Sequence, residues 1–161
     1  MMSAALPFLL LYTALSLTLT FCDMRSGRLP DRFTCPLLWG GLIFHLCIIP
    51  TQLADAVWGA VAGYTSFAFI YWGYRLVRRQ EGLGYGDVKF LAALGAWHGW
   101  MPLPFLIFWA ALLACFGIVA VGIVHGKSAL KNPLPFGPFL AAAGFITGYY
   151  RFTSGAINWS L

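Results

Sequence analysis

The chain has 161 residues and a formal net charge of +5, with 60% hydrophobic and only 9% charged residues. A typical soluble domain is about 25% charged, so this chain cannot cover a water-facing surface, and intrinsic disorder is excluded for the same reason. Four cysteines are too few for a disulfide-built secreted module, which leaves an all-α polytopic membrane bundle, read as one domain over residues 1–161.

A spanning helix needs about 20 mainly apolar residues, with a range of roughly 17 to 25. Six runs qualify or nearly qualify. Leu6–Cys22 comes first. It has no Lys or Arg ahead of it, so it lacks the basic start of a cleaved signal peptide, and three arginines (Arg25, Arg28, Arg32) follow it instead. It is read as a retained helix with its N-terminus outside. Asp23 stands at its inner end. Phe33–Ile49 is the second run, entered through Leu29-Pro30-Asp31.

Ala56–Tyr74 is the third run and contains Gly59-x-x-x-Gly63, the small-residue spacing that lets two helices approach closely. Asp55 precedes it in a short outer loop and is expected to be solvated. Glu81 follows Arg78 and Arg79 and is read as a loop ion-pair partner.

Val88–Met101 is the fourth run and is short. Gly82-Leu-Gly-Tyr-Gly-Asp-Val-Lys89 leads into it and puts Asp87 at a helix N-terminus, where the helix dipole favours a carboxylate. A capping role alone does not need three glycines in five residues. They give the backbone access to positive φ and leave room for another chain to come close. The phosphate-loop ending Gly-Lys-Ser/Thr is absent.

Leu103–Val124 and Pro135–Tyr150 complete the six. In this arrangement nine of the ten basic residues fall inside and only Arg151 outside, as cytoplasmic loops collect Lys and Arg. The basic residues form no long basic helix and no aromatic-interleaved patch, so nucleic acid is excluded as a partner. The cysteines are read as small packing residues. His45, His98 and His125 have no metal-ligand spacing, and no metal or cofactor is expected.

Three acids remain, Asp23, Asp31 and Asp87, and of these Asp23 and Asp87 stand at helix ends on the inner face. Two carboxylates sharing a partly dry site cannot both ionise easily, and such a pair activates a water and protonates a leaving amine. Spacing alone does not bring them together in space. A small transporter would instead place its carboxylates at mid-span.

Asp23-Met-Arg-Ser-Gly-Arg-Leu-Pro-Asp31 resembles the first active-site stretch of the type IV prepilin peptidases, and Gly84-Tyr-Gly-Asp87-Val-Lys89 matches their G-x-G-D-x-K signature. Residues 90–100 and Pro135-Phe-Gly-Pro-Phe139 also look like that family, in the same order along the chain. The resemblance implies a membrane aspartic endopeptidase of the inner (plasma) membrane. Its substrate is the leader of a prepilin or pseudopilin, cut at the cytoplasmic face without a cofactor. It implies Asp23 and Asp87 as the catalytic pair, with Asp31 a common family feature. Gly84, Gly86, Lys89 and Asp31 are read as the substrate side, and Lys89 has two other readings: it lowers the pair's pKa, or it marks the inner interface. Longer relatives carry a loop with paired C-x-x-C motifs and also methylate the new N-terminus. That loop is absent here, so the resemblance is to the short form and carries over the peptidase activity. The alternative is a non-catalytic assembly subunit that binds prepilin-like helices. It would keep the fold and lose an aspartate, whereas both are present.

Overall fold

A computed structural model describes residues 2–78, 84–125 and 135–153. Among them the chain forms six α-helices: α1 Met2–Ser26, α2 Asp31–Ile48, α3 Leu53–Arg78, α4 Tyr85–His98, α5 Leu103–His125 and α6 Gly137–Thr153. A single 3-10 turn, Pro50–Gln52, joins α2 to α3. Each helix falls where the sequence places an apolar run. Arg79, Glu81, Gly82, Lys127 and Lys131 lie outside the described residues.

Three of the helices are long and apolar enough to cross a membrane, over Ala4–Ser26, Pro50–Val77 and Leu103–Val124. α2 has 18 residues and α6 has 17, at the lower edge of the spanning range. α4 has only 14. It starts three residues earlier and ends three residues sooner than the predicted fourth span. Gly99 closes it at φ 78, a left-handed conformation that costs glycine little, and its N–H donates back to the Gly95 carbonyl at 2.8 Å.

So short a helix is tolerated because protein surrounds it. From Val88 to His98 every side chain except Lys89 is buried. α3, α2 and α6 pack around α4, α1 bridges α2 and α6, and α5 lies outside against α6. The α3–α4 contact is the tightest. A Cβ at Gly63 would stand 2.7 Å from the Leu91 carbonyl oxygen, and Gly59 and Gly95 meet backbone to backbone. The Gly59-x-x-x-Gly63 spacing therefore does what the sequence suggests, with α4 as its partner. On the other side Trp97 lies over Gly41 and donates its indole N–H to the Leu37 carbonyl at 2.7 Å. α5 turns Phe108, Phe116, Val119, Ile123 and Val124 outward, the face a lipid-exposed helix needs.

Candidate active site

Two aspartates come from different helices to one end of the bundle. Asp23 lies one turn inside the end of α1, because α1 continues to Ser26 rather than stopping at Cys22. Asp87 lies in the first turn of α4. Their residues are 5% and 7% exposed. They are near enough for the charge of Asp23 to act on Asp87. The juxtaposition that spacing alone left open is thus present in the fold.

The two carboxyls are held differently. Asp23 Oδ2 accepts the backbone N–H of Gly137 at 2.8 Å. That N–H belongs to the first turn of α6, one of the donors a helix leaves unpaired at its start. Asp87 Oδ1 is buried with no hydrogen-bond partner among the described residues. Asp87 lies ahead of the predicted fourth span and outside the three long apolar helices. Burial, and after it the charge of Asp23, pushes its carboxyl above the usual carboxylate range, against a smaller opposing hydrogen bond from the Gly84 backbone. A buried pair with one well-held oxygen and one orphan oxygen is suited to sharing a single proton.

Of the loop's three glycines, Gly84 and Gly86 lie among the described residues, and neither takes positive φ. Among the described residues only Gly27 and Gly99 take positive φ, and Gly84 is extended at φ −67. A Cβ on Gly84 would stand 3.0 Å from Asp87 Oδ2, and one on Gly86 would stand 2.7 Å from the Leu29 Cβ. Gly84 leaves room for the carboxyl. Gly86 leaves room for this chain's own Leu29, on the turn between α1 and α2.

Lys89 and Asp31 meet each other. Lys89 Nζ donates to both oxygens of Asp31 at 2.7 Å, on the exposed rim. The ammonium also lies 5.2 Å from the centre of the Tyr85 ring, and the Tyr85 hydroxyl bonds that of Tyr64 at 2.5 Å. Two other cations of this end are engaged too: Arg75 donates to the Tyr71 hydroxyl at 3.1 Å and Arg25 lies over Phe21. Asp55, expected in a loop, is in the first turn of α3. There it accepts the Trp100 indole N–H at 3.2 Å, at the far end from Asp23 and Asp87.

Sequence reasoning missed Gly137 as part of the site. A Cβ there would stand 2.7 Å from Asp23 Oδ2, so the position needs both a free N–H and no side chain. Its signal was the Pro135-Phe-Gly-Pro-Phe139 motif, in which Gly137 alone combines the two.

The family described as the type IV leader peptidase family matches residues 10–121. The protein named Leader peptidase HopD in Salmonella typhimurium is 64% identical over 151 residues, covering 94% of this chain and 97% of that protein. Its namesake in Escherichia coli is 61% identical over 154 residues, covering 96% and 99%. The Prepilin leader peptidase/N-methyltransferase of Aeromonas hydrophila is 46% identical over 137 residues, 85% of this chain but 47% of that longer protein. No solved structure matches the chain.

Proposed function

Because the chain belongs to the type IV leader peptidase family, a family of aspartic peptidases, we propose that this membrane peptidase cuts the leader from a prepilin or pseudopilin with Asp23 and Asp87 as its catalytic pair. The observation that carries the reading is the burial of these two carboxyls, from α1 and α4, near enough for the charge of one to act on the other, with one oxygen held by Gly137 and one without a hydrogen-bond partner among the described residues.

The pair holds one proton between two carboxyls and titrates as a unit. The ionised member takes a proton from water as the water oxygen bonds to the scissile carbonyl carbon. The protonated member gives its proton to the carbonyl oxygen. When the C–N bond breaks, one proton of the resulting gem-diol returns to the second carboxyl, and the first gives its proton to the leaving amine. One water is consumed and the pair is restored.

The location follows from charge. With the N-terminus outside, nine of the ten basic residues lie inside, which supports a site at the cytoplasmic face of the inner membrane. A prepilin offers a short basic leader followed by an apolar helix. That helix can lie in the bilayer while its leader stays in the cytoplasm, which brings the junction to the depth of Asp23 and Asp87. The reading covers peptide hydrolysis; the methyl transfer named for the longer relatives is not assigned to any residue here.

Co-expression with a candidate prepilin, read as precursor and mature bands on a gel, tests it. Wild type should give the mature band. Asp23→Asn and Asp87→Asn should each leave precursor while the protein still inserts, because Asn keeps the shape but cannot carry the proton. Substantial cleavage by either variant would overturn the assignment.

A further inference from the structure

A 14-residue α4 is about 21 Å long, whereas the hydrocarbon core is about 30 Å thick. With Asp87 at one surface, the other end of α4 stops inside the membrane. The heights agree: Tyr12, three turns up α1 from Asp23, bonds His98 at the end of α4. The shortfall leaves a recess floored by His98 and Gly99 and walled by the ends of α2, α3, α5 and α6.

This recess is a cavity of about 520 Å³, and His45, Gln52, Asp55, His98, Trp100 and Arg151 are among the residues around it. An apolar slot of about 320 Å³ runs beside it between α1 and α6, against Leu9, Phe44, Phe145 and Tyr149. His98 and Arg151 border both spaces. Arg151 is fixed there by donating to the His98 carbonyl and, at 3.3 Å, to Gln52 Oε1. Asp55 faces the same chamber and its charge acts on Arg151.

Among the described residues the chamber presents the cation Arg151 and the anion Asp55 and borders an apolar slot, an arrangement that fits an amphiphile with a zwitterionic head. We propose that the recess binds one phosphatidylethanolamine-type phospholipid, its phosphate at Arg151, its ammonium at Asp55 and one acyl chain in the α1–α6 slot. Guanidinium pairs with phosphate oxygens through two parallel N–H bonds. A carboxylate accepts from a primary ammonium, which a glycerol head does not supply. A free zwitterion would fill the chamber and leave the slot empty.

The test uses the full chain purified in mild detergent, with dioleoylphosphatidylethanolamine, dioleoylphosphatidylglycerol and soluble phosphoethanolamine as probes. Native mass spectrometry should show one phosphatidylethanolamine retained per chain. Thermal unfolding should rise with that lipid more than with the glycerol lipid, and not at all with millimolar phosphoethanolamine. Arg151→Met should lower retention at least tenfold. Asp55→Asn should erase the preference for the ethanolamine head. Gly148→Leu, which fills the slot beside the His98 ring, should abolish retention with both charges intact. Prepilin cleavage should stay at the wild-type level in Asp55→Asn and Gly148→Leu, which separates this site from the aspartate pair. No lipid retained by wild type, equal unfolding in the two lipids, or unchanged retention in all three variants would overturn the proposal. Stabilisation by soluble phosphoethanolamine would do so as well, and would make the occupant a free small zwitterion.

Discussion

Gly137 donates its backbone N–H to Asp23 Oδ2 at 2.8 Å, across 114 residues of sequence. The contact joins the end of α1 to the start of α6 and fixes the direction of one carboxyl of the pair. It also explains the glycine, since a Cβ would press on the same oxygen.

Gly137→Ala keeps the N–H but forces the carboxyl aside. Overpacking of this kind costs about 1–3 kcal/mol, and displacing a reacting group by about 1 Å lowers rates about 10²-fold. The variant should insert, bind prepilin with little change in KM, and cleave about 10²-fold more slowly. A wild-type kcat would show that the Gly137–Asp23 contact does not position the pair.

Asp87 should depress stability at neutral pH. Its pKa is raised by burial and by Asp23, so the folded state binds this proton more tightly than the unfolded state. Stability is then lost as pH rises from the ordinary carboxylate range through the folded value. Asp87→Asn carries no such proton. It should unfold at a higher temperature than wild type at pH 7.5, each kcal/mol of relief appearing as about 2–4 °C, and the gain should vanish near pH 4. Thermal unfolding of the two proteins in one detergent at both pH values measures it; a variant less stable than wild type at pH 7.5 would contradict the electrostatic reading.

The Asp31–Lys89 pair should act on the rim rather than on the chemistry. Exposed ion pairs contribute about 0.2–1 kcal/mol, and this one closes the turn that sets Leu29 on Gly86. Lys89→Ala and Asp31→Ala should each lower kcat/KM less than about tenfold, and the exchange Asp31→Lys with Lys89→Asp should recover most of the loss. If the exchange recovers nothing and KM rises sharply, Lys89 meets the substrate directly.

Topology can be read with reporter fusions. A fusion after Arg79 should report cytoplasmic and one after Tyr150 external, because nine basic residues lie inside only in this orientation. A cytoplasmic report after Tyr150 would break the six-span alternation.

Much of the fold was written in the chain. Apolar runs and charged gaps located all six helices, since a bilayer permits few other ways to satisfy a backbone. Gly59 and Gly63 marked a tight helix contact because only glycine permits one. The two aspartates stood out because a chain with five acids in 161 residues has few to weigh. What the sequence could not show is which helices meet. Local pattern gives a helix its apolar content but not its neighbours, so only the packing of α3, α2 and α6 around α4 showed that the short fourth run is a protein-enclosed core. The same packing brought Asp23 and Asp87 together, turned Lys89 onto Asp31, and set Gly137 against a carboxyl 114 residues away. These contacts join distant parts of the chain, and their specificity lies in close packing, which no periodicity records.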